Sequence, residues 1–380
     1  MGTIADELAT IPFLARASSA EVRASSPLWE QLSLQSGEVL WDEGSAVSEM
    51  AVVVYGELVA ELRGAEVGKV LPGELLGEAS AFFAGHTRTA TLRARGSAQV
   101  LVLPVASLNT LRWQRSTVYD ALLEQALLTL VRRIRATDQR IAKVAQGGKA
   151  APTRAEPSAL VRLWRAVKPG GPSAACPPIE PLLRRQPGLA ELDGETIAGL
   201  ARAFTAEPVT EGQILFLEGE SGSAAWLVAE GQIEVLRHVR GEKAELLAAL
   251  GAGSLFGINT LVERGTRTAS CVAARPGWLW RMDAEAYSRL GGPVRLAWRE
   301  TVLGALATQI RGANAALQKA TAGEAPRPTT PRPAGRADDG FSDLLRASGW
   351  LEGVPESDLE KIEVVRTADD KRNPRRPVKR

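Results

Sequence analysis

Cysteine and histidine are nearly absent, with two of each among 380 residues. Cys176 and Cys271 are too few for a disulfide framework or a thiolate zinc site. His86 and His238 leave little from which to build a metal centre, and His86 is read as an exposed loop residue without a ligand role. So sparse a use of cysteine fits a reducing, cytoplasmic setting. A charge excess is missing too: 46 basic and 44 acidic residues give a formal net charge of +2. That excludes a polycation built to coat nucleic acid or anionic lipid. No apolar run is long enough to span a bilayer. The longest uncharged stretch of interest, Leu246 to Val262, is broken by Gly251, Gly253, Gly257 and Asn259 and falls short of about 20 apolar residues. The N-terminal MGTIADELATIPF carries acids where a secretory leader needs basic residues. The expectation is a soluble, cytoplasmic protein with no membrane partner. Zinc-ligand spacing, a GxSxG elbow, a Walker loop and a GxGxxG fingerprint are all lacking, so nothing points to an enzyme.

What is present is ordinary globular material, 45% hydrophobic and 24% charged, in a chain long enough for two or three domains. An internal duplication organises it. SGEVLWDEGSAVSEMAVVVYGELVAEL from Ser36 matches EGQILFLEGESGSAAWLVAEGQIEVLR from Glu211. Gly37, Gly44 and Gly56 reappear 175 residues on as Gly212, Gly219 and Gly231. Further along, LLGEASAFFAGHTRTATLRA matches LFGINTLVERGTRTASCVAA at an offset near 180, so the second copy has a longer hairpin around Arg237–Leu246. Short runs of β-type alternation (Glu38–Trp41, Met50–Val54, Leu58–Leu62 and Ala98–Leu103) stand between glycines. They predict a small barrel or jelly roll. Each copy is followed by a heptad-like seam: Leu123, Leu127, Leu130, Ile134, Ile141 and Val144, then Leu296, Leu303, Leu306, Ile310, Ala313 and Leu317.

The fold class read from this pattern is mainly β with flanking α. It comprises two jelly-roll β-barrels, each followed by a C-terminal helix, and a short helical C-terminal fragment. The domains expected are 1–145, a Gly/Pro-rich linker at 146–181, a second domain at 182–320, a Pro-rich linker at 321–340, and a remnant at 341–380. In that remnant GWLEGVPESDLEKI resembles the opening helix of the second copy, and the chain ends in the basic KRNPRRPVKR.

One spaced motif stands inside the first copy: Gly77-Glu78-Ala79, then Arg88-Thr89-Ala90 ten residues after the glutamate. Taken singly, Glu78 reads equally well as an acid at a helix N-terminus and Arg88 as a surface ion partner. Motif, spacing and glycine-punctuated strands together resemble the cyclic nucleotide-binding domains of catabolite activator protein and the regulatory subunits of cyclic AMP-dependent kinase. That resemblance implies that Gly77, Glu78, Ala79, Arg88, Thr89 and Ala90 bind the phosphate and ribose of cyclic AMP or cyclic GMP. No other cofactor is implied. The chemistry suits the roles. A short helix opening near Gly77 would aim free N–H groups at an anion, and the missing Cβ lets the backbone come close. The Arg88 guanidinium offers parallel donors to phosphate oxygens. Thr89 adds a hydroxyl, and Glu78 accepts from the ribose 2′-hydroxyl.

The second copy keeps Gly257, Arg267, Thr268 and Ala269, but Ile258 stands where the first has Glu78. An isoleucine accepts nothing, and an unpaired buried hydroxyl costs roughly 1–3 kcal/mol. The second site is therefore read as weak, altered in specificity or purely structural. Thr117 and Thr129 are candidates for contact with the base, though no motif singles one out.

The expected function is a non-catalytic cyclic nucleotide sensor that signals to an unidentified protein partner through its exit helices. The alternative is a scaffold of degenerate barrels that binds no ligand. The first seam has three readings: packing on its own barrel, pairing with the second seam, or homodimerisation through helix 116–145. DNA binding is not expected, because no helix-turn-helix follows either copy. The basic tail alone would give at most salt-dependent attraction to phosphates.

Overall fold

A computed structural model describes residues 2–83, 87–145, 172–238 and 244–321. The linker core, the Pro-rich segment, the third-repeat remnant, the basic tail and His86 lie outside the described residues. The chain divides into two compact units: Met1–Ile134 with Leu296–Arg311, and Arg135–Arg295 with the remainder.

The first unit opens with α1 (Ile4–Thr10), a 3-10 turn (Pro12–Arg16) and α2 (Ser19–Ser25). Thr3 starts α1 with a reciprocal capping box to Asp6, satisfying helix donors that would otherwise have no partner. Six strands follow: β1 (Glu30–Leu34), β2 (Val39–Trp41), β3 (Glu49–Leu62), β4 (Ala65–Val70), β5 (Leu75–Leu76) and β6 (Thr91–Pro104). They pair antiparallel in the order β1-β6-β3-β4, with β2 on β6 and β5 on β3. Leu34, Ala51, Val53, Leu58, Leu76, Leu92, Val100 and Val102 form the buried core of this sheet. Helices α3 (Val105–Trp113) and α4 (Thr117–Ala145) follow.

The second unit repeats the plan. Helices α5 (Glu180–Arg184) and α6 (Gly194–Ala201), the latter capped by Asp193, lead into β7 (Thr205–Val209) and β8 (Ile214–Phe216). Then come β9 (Ser221–Gly222), β10 (Ala224–His238), β11 (Ala244–Leu250) and β12 (Leu255–Phe256), followed by α7 (Ile258–Val262), β13 (Gly265–Thr266) and β14 (Ser270–Asp283). The main sheet runs β11-β10-β14-β7. Helices α8 (Ala284–Arg289) and α9 (Gly292–Thr321) close the described chain. The fold is two antiparallel sheet domains with flanking helices, as the repeat grammar predicts.

Two local expectations are corrected. Met50–Val54 and Leu58–Leu62 are not separate strands but parts of the single strand β3. Gly56 adopts φ 85° and packs against the Ser97–Ala98 backbone with no room for a Cβ. It shifts the β3–β6 register around Tyr55 without ending the ladder, as a bulge does. The helix expected at Gly77 is absent. Ser80 and Ala81 donate instead to the Gly77 carbonyl in consecutive turns, and a helix at that place forms only in the second copy, as α7.

The seam helices fall where the periodicity places them. Leu123, Leu127, Leu130, Ile134 and Ile141 are buried on α4, and Leu303, Leu306, Ile310, Ala313 and Leu317 on α9. Within the first unit α4 and α9 touch directly, through Glu124 with Arg299 and Tyr119 with Glu300.

Candidate ligand site of the first domain

Gly77, Glu78, Ala79 and Arg88 converge at one end of the first sheet. Gly77 sits at φ 78°, and a Cβ there would come within 2.7 Å of Arg88 Nη1. The glycine is required twice, for the left-handed backbone and for the close approach of the guanidinium. Ala79 is buried, and Thr89 and Ala90 are half-buried on the segment that leads into β6.

Arg88 is only 3% exposed. Its guanidinium lies over the Trp41 ring, 3.5 Å from the centroid, and its Nη2 donates to Glu49 Oε1 at 3.1 Å. Burial pulls the Arg88 pKa down, against the opposing effect of Glu49. Nε and Nη1 are buried without hydrogen-bond partners. Glu78 is fully buried. Its Oε1 accepts from Arg133 Nη1 on α4 at 2.7 Å, and Oε2 has no partner. Desolvation pushes the Glu78 carboxyl up, and Arg133 is the largest influence opposing it. Glu78 and Arg88 each stabilise the other's charged form. The two ends of the loop are thus brought together with donors and an acceptor to spare. Those orphaned atoms match a ligand carrying an anion and a hydroxyl.

The second domain arranges the same positions differently. Ala224 stands 175 residues after Glu49, and Phe216 answers Trp41. Arg267, 5% exposed, has no carboxylate like Glu49. Its Nη1 and Nη2 donate to the carbonyls of Gly257 and Ala224, both at 3.0 Å. Its guanidinium lies 4.0 Å from the Phe216 centroid and 5.1 Å from that of Trp226. Trp226 also stacks on Phe216 and Phe256. Gly222 packs against the same guanidinium too closely to admit a Cβ. Burial lowers the Arg267 pKa to about 10. Ile258 is buried where the glutamate would be, Ala269 is buried, and Thr268 is half-buried. The loop after α7 is held by Arg135, which donates to Glu263 Oε2 at 2.8 Å and to its carbonyl at 2.7 Å.

Sequence reasoning missed Trp41, Glu49 and Arg133. The first two were within reach of the repeat alignment, as an aromatic retained and an acid lost. Arg133 carried no signal beyond its place on the exit helix. Among the base-contact candidates, Thr117 is engaged elsewhere, donating with its backbone N–H and hydroxyl to Glu21. Thr129 accepts from Gln125 on the same helix. Among the described residues no group of His, Cys, Asp and Glu is placed to hold a metal, and no helix is long and apolar enough to cross a membrane.

The family described as Cyclic nucleotide-binding domain matches residues 31–114 and 206–291. That family's model thus matches the chain twice in tandem, once in each sheet domain. Over 80 residues it is 38% identical to the Cyclic AMP receptor protein of Thermus thermophilus, a match covering 21% of this chain and 37% of that protein. Over 264 residues it is 22% identical to a cGMP-dependent protein kinase of Caenorhabditis briggsae, covering 69% of this chain and 28% of the kinase. The chain thus spans well under two-thirds of either relative. Among solved structures, the regulatory domain of Toxoplasma gondii PKA with cAMP shares 18% identity. That match covers 77% of this chain and 92% of that one, at a TM-score of 0.28.

Proposed function

We propose that the first domain is a receptor for a cyclic nucleotide, cyclic AMP or cyclic GMP, and that the second is a structural copy whose pocket is filled by its own side chains. One observation carries the reading. Buried Arg88 and Glu78, at the two ends of one loop, keep Nε, Nη1 and Oε2 free of partners. The corresponding Arg267 spends both terminal nitrogens on backbone carbonyls. In the first domain the guanidinium takes the phosphate, a charge-assisted contact, and Glu78 Oε2 takes the ribose 2′-hydroxyl. The two matches to the family model support the ligand class, and the names of the relatives include both nucleotides. Because Arg133 already holds Glu78, occupancy reaches α4 and is passed on as a shift between arrangements of that helix. The chain binds its ligand rather than transforming it.

Calorimetric titration of the full chain with cyclic AMP and with cyclic GMP tests this. One site per chain is expected, and Arg88→Ala is expected to weaken it by about 100-fold or more, the usual cost of removing a buried charged partner. An isotherm unchanged by Arg88→Ala, or two equal sites, would overturn the assignment. The scaffold reading has one observation in its favour: Glu49 already neutralises Arg88. Absence of heat with either nucleotide would leave that reading standing.

A further inference from the structure

The loop that carries the first site also carries Phe82 and Phe83, and both lead to helix α9. Phe82 meets Tyr119 edge-on, with ring centroids 5.9 Å apart and planes at 63°. Tyr119 is 4% exposed, and its hydroxyl donates to Glu300 Oε1 at 2.7 Å. Arg112 grips the same carboxylate in a fork, with Nε to Oε1 at 2.6 Å and Nη2 to Oε2 at 2.7 Å. Phe83 reaches α9 without an intermediary, since a Cβ on Gly304 would lie 3.4 Å from its ring. Glu300 and Gly304 are one helical turn apart and so share a face. Arg299, the neighbour of Glu300, adds a looser tie to Glu124 at 3.5 Å.

We infer that residues 296–311 of α9 are the responding element of the first site, and that Glu300, clasped by Arg112 and Tyr119, is the positioning residue through which the ligand loop moves this helix. This rests on the receptor reading above. A ligand that takes up Glu78 Oε2 and the free donors of Arg88 must reposition the loop between them. Phe82 and Phe83 are fixed parts of that loop, packed on Tyr119 and at Gly304. A bidentate arginine–carboxylate pair admits little sideways play, so displacement of Tyr119 is transmitted to Glu300 rather than absorbed. Burial and the adjoining carboxylate raise the Tyr119 pKa, which keeps its hydroxyl a donor at every working pH. At Gly304 the Phe83 ring lies beside the helix at a distance where a Cβ would make ordinary van der Waals contact.

Hydrogen exchange of the full chain, read with and without saturating cyclic AMP and in a second arm cyclic GMP, tests the inference. In the native chain the nucleotide is expected to alter exchange both in the loop of residues 77–90 and in residues 296–311. Tyr119→Phe removes one oxygen and keeps the ring, so folding is preserved. It should retain the loop response while the α9 response falls about fivefold, the lower end of ordinary coupling between sites. Glu300→Gln should act in the same direction. A loop that responds while α9 does not, or a Tyr119→Phe variant with full α9 response, overturns the inference and leaves the receptor reading intact. If neither loop nor helix responds to either nucleotide, the receptor reading fails and the inference falls with it. A purely structural role for the clasp would lower thermal stability without changing the ratio of the two responses, and that outcome also overturns it.

Discussion

Arg133 on α4 donates to Glu78 Oε1 across 2.7 Å, and it does so for a carboxylate with no exposure to solvent. Removing the arginine leaves that charge buried without its main partner, a situation that costs about 3–5 kcal/mol while the group stays ionised. Glu78 already has its pKa raised by desolvation, so its folded form resists ionisation. A raised folded pKa means that stability is fully present below the ordinary carboxylate pKa and is lost as pH rises through the folded value. Arg133→Met pushes that value higher. Its deficit relative to the native chain should therefore be larger at pH 8 than at pH 5, as read by denaturant unfolding at both.

Gly77→Ala and Gly44→Ala separate backbone strain from crowding. Both glycines have φ near 80°, but only Gly77 has Arg88 at its missing Cβ, while nothing lies within 4 Å at Gly44. Gly44→Ala should cost about 1–2 kcal/mol, the price of a left-handed L-residue. Gly77→Ala should cost more and weaken nucleotide binding as well. Equal losses from the two in melting experiments, with binding untouched, would show that the guanidinium yields freely.

In the second domain, Arg267→Met should leave nucleotide stoichiometry at one per chain while destabilising the fold. The replacement is apolar, and it strips the carbonyls of Gly257 and Ala224 of their donors, with each buried orphan costing about 1–3 kcal/mol. Unfolding curves and titration on the same preparation check both halves.

Glu234 gives the second unit a pH signature. It is 1% exposed with Oε2 unpartnered, and desolvation raises its pKa to about 7. Stability is present below pH 4.5 and declines as the unfolded chain ionises ahead of the folded one, levelling only above about pH 7. Glu234→Gln should flatten that decline. An identical slope in the variant between pH 5 and 7.5 would place the titration elsewhere, with Asp138, also raised to about 7 by burial, the next group to replace.

The duplication, the antiparallel sheets and the trailing helices were legible because glycine at turns and apolar spacing on helices are local signals. Gly77, Glu78 and Arg88 were legible for the same reason, lying within one short motif. The helix residue Arg133 was not, since only the tertiary fold carries it to Glu78; Trp41 and Glu49 left a trace in the repeat alignment, but only the fold shows them against Arg88. β3 was cut in two by reading Gly56 as a boundary, whereas positive φ there bends the strand without ending its pairing. The role of Ile258 was legible in kind but not in extent. The sequence shows an acceptor lost, and only the fold shows Phe216, Trp226 and Gly222 packed around Arg267.

The assignment of Leu296–Arg311 to the first unit bears on how the protein is made. Translation delivers the first sheet early, yet the helix that supplies Glu300 leaves the ribosome only after the whole second sheet. The domain that emerges first is thus completed only after the second sheet has been made, and contacts so distant in sequence form slowly. A nascent chain halted after α4 presents Arg112 and Tyr119 to water with no carboxylate to bind.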